Sequence, residues 1–157
     1  MRKVKIVLLI LLVVFVLIQF IRPAKNQSTN QELTADITGI YTIPNDVQTI
    51  LKNACYDCHS NNTQYPWYVN IQPIGWFMAG HIKNGKKELN FNEYGTYSSK
   101  RQHNKLKRMK EQIEENKMPL SSYTLIHREA KLTANQKEQV TKWIDSTLNA
   151  AETGSTN

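Results

Sequence analysis

Two cysteines and a histidine fall within five residues, Cys55-Tyr56-Asp57-Cys58-His59, and no other cysteine exists in the chain. Whatever fold forms must gather both thiols and the imidazole around one point. A disulfide between the two would leave His59 without a purpose. A thioredoxin-like redox pair needs a strand leading into it and a βαβ surround. The residues before Cys55 carry helical period instead: Val47, Ile50, Leu51 and Ala54 recur at i, i+3, i+4 and i+7. A tetrahedral zinc site wants a second close-spaced pair, whereas His81, His103 and His127 stand 22 and 24 residues apart.

The remaining chemistry is covalent haem. In Cys-x-x-Cys-His two thiols on adjoining turns form thioethers to the two haem vinyl groups, and the next residue turns its imidazole onto the iron. This predicts one haem c held by Cys55, Cys58 and His59, with His59 as the proximal metal ligand. For the sixth position Met118 is the first candidate, a soft thioether held in an extended loop by Pro119, after the haem motif and before the last helix. That order matches a small class I cytochrome c. His81 and His127 remain competitors, and Met78 and Met109 read as core filler. His103, among Arg101, Gln102, Asn104 and Lys105, reads as solvent-facing.

At the N-terminus, Ile6 to Ile21 are apolar except Gln19, with Arg2, Lys3 and Lys5 before them. This is the pattern of an export signal. The sixteen residues give a helix of about 24 Å, a little short of the ~30 Å hydrocarbon core, a gap that snorkelling by Lys5 and Arg22 can close. Phe20-Ile21-Arg22-Pro23-Ala24 lacks the small-x-small pattern of a cleavage site, so the segment reads as an uncleaved anchor rather than a removed signal. The expectation is a single-pass protein of the cytoplasmic membrane, its haem domain on the periplasmic or extracytoplasmic side.

The formal charge of +7 is concentrated in that region: five of the twenty basic residues and none of the thirteen acids lie in the first 25. The rest is only mildly basic, which does not suit a nucleic-acid binder. One stretch, Lys83 to Lys110, holds nine Lys or Arg against Glu88 and Glu93. It reads as a solvated helix face or as a docking site for an acidic redox partner.

Along the chain the expected organisation is an anchor over 1–22, a polar linker over 23–43, a haem-binding domain over 44–150 and a frayed tail over 151–157. The domain reads as all-α. Pro73 opens a helix whose face carries Ile74, Phe77, Met78, His81 and Ile82, with Asn84-Gly85 as its stop. A third runs from about Ser99 to Glu115 with Leu106, Met109 and Ile113 in line. The last begins with Thr133 and Gln136 as a capping box and buries Val140, Trp143, Ile144 and Leu148. The aromatic side chains Trp67, Tyr68, Trp76, Tyr123 and Trp143 read as core, with Trp or Tyr also able to donate to a haem propionate.

Beyond the pentad, Cys55 to Asn61, Tyr65-Pro66-Trp67-Tyr68, Ile71 with Pro73 and Trp76, and Leu89-Asn90-Phe91 together resemble the bacterial haem-binding domain family of cytochrome-c-like proteins. The resemblance continues through Met118-Pro119, Tyr123, His127 and Ala130-Lys131-Leu132-Thr133, covering about 43–148. It implies a monohaem c-type fold, often behind an N-terminal membrane segment, with Cys55, Cys58 and His59 binding haem. Met118-Pro119-Leu120 stands where many relatives have Met-Pro-Pro, which alters the stiffness of that loop.

The function these readings point to is single-electron transfer, by a carrier more than by a catalyst. The alternative is a gas or redox sensor, or a peroxidase-like protein, with a labile or open sixth iron site. A haem-storing or adhesive module is the third class.

Overall fold

The computed structural model describes residues 1–28 and 35–154. Eight α-helices appear among them: α1 (Arg2–Ile18), α2 (Ile37–Ile40), α3 (Asn45–Ala54), α4 (Tyr56–His59), α5 (Ile74–Glu88), α6 (Ser99–Glu114), α7 (Ser121–Thr124) and α8 (Ala134–Gly154). No strand forms among the described residues, and the one extended pairing is an isolated antiparallel bridge between Gln27 and Asn62. The all-α expectation therefore holds for the folded body.

The core is where three amphipathic stripes meet. Val47, Ile50, Leu51 and Ala54 of α3, Leu106, Met109 and Ile113 of α6, and Val140, Trp143 and Ile144 of α8 are all buried in one cluster. Phe91 and Tyr94, from the short 3₁₀ segment Phe91–Thr96, complete it. Each fully buried aliphatic side chain of this kind contributes about 1.5–3 kcal/mol. The capping box at the start of α8 forms as the sequence requires: the Thr133 amide donates to Gln136 Oε1 at 2.9 Å, and the Gln136 amide to Thr133 Oγ1 at 3.2 Å.

The expected transmembrane helix is not found, and with it falls the placement in the cytoplasmic membrane. No helix among the described residues is long and apolar enough to cross a membrane. Helix α1 has 17 residues, about 26 Å at ~1.5 Å per residue. Its first turns are spent on Arg2, Lys3 and Lys5. At its other end Phe20 and Ile21 lie outside the helix, because Gln19 is drawn into tertiary contacts. Its amide donates to the Phe15 and Gln72 carbonyls, and its Oε1 accepts from the Gln72 amide at 2.9 Å. Trp76 Nε1 donates to the Ile21 carbonyl at 2.7 Å. The apolar run thus extends past the C-terminal end of the helix, which stops at Ile18.

Other boundaries shift for similar reasons. Within the segment expected to be a tether, Ile37 is fully buried and Asp36 caps α2 by accepting from the Thr38 amide at 2.9 Å, while residues 29–34 lie outside the described residues. Residues 151–154 continue α8, and 155–157 lie outside the description.

Helix α5 does not stop at Asn84-Gly85 but runs on to Glu88. Gly85 serves a close approach instead: a Cβ there would lie 2.6 Å from the Cys58 carbonyl oxygen. Gly85→Ala is therefore expected to destabilise the protein by about 1–3 kcal/mol. Gly80→Ala, with open space around it, is expected to stabilise by up to about 1 kcal/mol. Urea unfolding of both variants measures this. A Gly85→Ala protein as stable as its parent would show that α5 does not press on the cysteine motif.

Candidate haem site

Helix α3 ends at Ala54 and the chain re-enters a single helical turn, α4, that carries the motif. The amides of Cys58 and His59 both donate to the Cys55 carbonyl, at 3.2 and 3.0 Å. This compact turn packs against α5 through Gly85. Both thiols are free and half-buried. Burial, with Cys58 beside it, pushes the Cys55 thiol up to about 12, and burial with Asp57 pushes Cys58 up to about 11.

His59 is oriented by the backbone. Its Nδ1 lies 3.0 Å from the Leu89 carbonyl oxygen. A carbonyl can only accept, so Nδ1 carries the proton and Nε2 keeps its lone pair. Burial lowers the His59 pKa, against the opposing pull of the Leu89 bond, which favours the neutral ring that a metal requires. Phe91 sits edge-on to the ring at 6.2 Å and stacks on Tyr56 at 4.9 Å.

A cavity of about 560 Å³ opens beside this ring, lined by Cys55 and His59 on one part and by Met118 and Pro119 on another. Its volume is in the range of small-molecule and cofactor sites, about 300–1,000 Å³. Much of the remaining lining is apolar, including Leu89, Phe91, Ile113 and Leu132. A thioether and a neutral imidazole lining one cavity, with an apolar part for a ring and charged side chains beside it, are a donor set that suits haem iron, and the residues present fit the group. Met118 reaches this space because α6 ends at Glu114 and Asn116 turns the chain with φ 57°. The side chain of Met118 is half-buried.

Not every candidate converges here. Cys58 belongs to the same turn but does not line the cavity. His81 lies on α5, outside the lining, its ring edge-on to Phe77 at 4.3 Å. His127 is also outside, and both its nitrogens are engaged: Nε2 with the Tyr68 hydroxyl at 2.6 Å and Nδ1 with Glu129 at 3.2 Å. Its ring stacks on Tyr123 at 4.4 Å. Among the three sixth-ligand candidates, the cavity lining contains Met118. His103 is half-buried rather than solvent-facing.

Two supports of the site escaped the reading of the sequence. The x residue Asp57 is a hub: its carboxylate accepts from the Tyr123 hydroxyl at 2.7 Å and the Gln64 amide at 3.0 Å, and its carbonyl from Thr63 Oγ1 at 2.6 Å. Burial first, then that bond to Asp57, raises the Tyr123 pKa, so its hydroxyl remains a donor.

The second is an asparagine seam. Asn90 donates to Asn61 Oδ1 at 2.8 Å, and the Asn61 amide to Asn92 Oδ1 at 2.7 Å, tying the loop after the motif to the Leu89-Asn90-Phe91 turn that orients His59. Asn26 reinforces it from the N-terminal segment, donating to the Ser60 carbonyl at 2.8 Å. The clustering of Asn around 61–62 and 90–92 was the available signal, but nothing local says that these loops meet.

Comparison with known proteins gives one match. No curated protein and no solved structure matches the chain. The model of a haem-binding domain family, however, matches residues 13–146, a span that includes every residue placed at the cavity. The chain therefore belongs to the haem-binding domain family.

Proposed function

We propose that this protein is a monohaem c-type cytochrome that carries single electrons. The observation that supports this most is the shared cavity of Cys55, His59 and Met118, with the His59 Nδ1–H held by the Leu89 carbonyl. Cys55 and Cys58 would hold haem through thioethers to its two vinyl groups, each thiol adding across one C=C bond. His59 Nε2 and the Met118 sulfur would hold the iron. The bound iron supplies exchange between Fe(III) and Fe(II), with Met ligation favouring the reduced state.

What the chain contributes is position and exclusion of water. Leu89 fixes the tautomer of His59, Phe91 and Leu132 wall the cavity, and the turn after α6 presents Met118. None of these groups makes or breaks a bond in a substrate, which fits a carrier better than a catalyst. For an acidic redox partner, the exposed charges of the basic segment are Lys83, Lys87, Lys100, Arg101, Lys107 and Arg108.

The test is an optical spectrum of the haem-loaded protein, reduced, before and after carbon monoxide. A low-spin spectrum that carbon monoxide leaves unchanged is expected of a closed six-coordinate iron. Rapid conversion to a carbonyl form would replace electron transfer with the sensor or peroxidase-like reading.

A further inference from the structure

The cavity is not uniformly apolar. Its lining also holds Lys105 and Arg108, successive residues of one face of α6, and Lys117, together with the acids Glu88, Glu111 and Glu115. Lys117 is committed, its Nζ lying 2.7 Å from Glu115. Lys105 is not. Its side chain is only 14% exposed, yet its nearest anionic partner, Glu88, is 3.8 Å away, beyond hydrogen-bonding distance. Arg108 reaches the same Glu88 carboxylate at 3.9 Å.

A cation lining a partly apolar cavity without a hydrogen-bonded counterion is stabilised when an anion enters within hydrogen-bonding reach. Glu88 serves poorly, because it is 67% exposed and shared between two cations. Haem presents the complementary pattern: an apolar ring with two carboxylates on one edge. The other donors expected for those carboxylates are occupied. Trp76 and Trp143 donate to backbone carbonyls, Tyr123 to Asp57, and the Tyr68 hydroxyl pairs with His127.

We propose that Lys105 and Arg108 are the propionate anchors of the haem, the incoming carboxylates taking the place that Glu88 holds weakly. This rests on reading the cavity as the haem site. It gives the cofactor a direction: the propionate edge lies toward Lys105 and Arg108 of α6.

The experiment titrates the full-length apoprotein with ferric haemin and, separately, with haemin dimethyl ester, following the Soret band. The parent is expected to prefer haemin by about tenfold or more, as charge-assisted hydrogen bonds require. Lys105→Gln/Arg108→Gln is expected to lose most of that preference while still binding the ester. Lys100→Gln/Lys107→Gln, which removes two exposed charges of the same helix outside the cavity, is expected to keep it. Thermal unfolding of each apoprotein checks that all are folded. A preference that survives in Lys105→Gln/Arg108→Gln, or a parent that binds both haems equally, overturns the anchor and leaves the haem site standing. A parent that binds neither overturns the cavity reading itself.

Discussion

Replacing Cys55 and Cys58 together with alanine is expected to abolish covalent haem. Each thioether needs a sulfur, and the chain has no third cysteine to supply one. The measurement is haem stain after denaturing electrophoresis of protein made with a haem-attachment system, where parent stains and double variant does not. His59 and Met118 are untouched by the change, so the variant is expected to retain haem that is lost only on denaturation. The single variants carry separate information. Each thiol serves one vinyl group, so Cys55→Ala and Cys58→Ala should each leave one thioether and a shifted spectrum. Stain that persists in the double variant would remove the c-type reading.

Met118→Ala is expected to keep covalent haem and lose the distal ligand. A thioether is a soft donor that stabilises Fe(II), so its removal should lower the midpoint potential and move the iron toward high spin. The near-infrared sulfur-to-iron charge-transfer band of the oxidised protein should disappear completely in the variant. His127 is not expected to substitute, because both its nitrogens are held, by Tyr68 and Glu129. His81 lies on α5 outside the cavity. A parent without the band, or a variant that keeps it, would exclude Met118. The Met118 and cysteine tests are independent: one reports the distal ligand, the other covalent attachment.

What the sequence by itself determined is what local chemistry can encode. Hydrophobic spacing located α3, α6 and α8 and named most of their buried faces, because a helix closes its own hydrogen bonds and its stripe follows from its period. The Thr133 and Gln136 box was legible for the same reason, and so was the nearness of Cys55, Cys58 and His59, which one turn brings together. The tertiary structure decided everything that depends on residues distant in sequence. Gly85 looked like a helix stop until α5 was seen against Cys58, where no Cβ fits. Asp57 looked like a spacer until Tyr123 was placed on it. The apolar N-terminus looked like a membrane span, yet its helix ends where Gln19 meets Gln72, 53 residues away. Three residues competed for the sixth position on chemistry alone, and packing separated them: the turn at Asn116 carries Met118 into the cavity, while Phe77 and Tyr68 engage His81 and His127 elsewhere. Side-chain type sets which bonds a residue can make, and only the fold sets which partner is within reach.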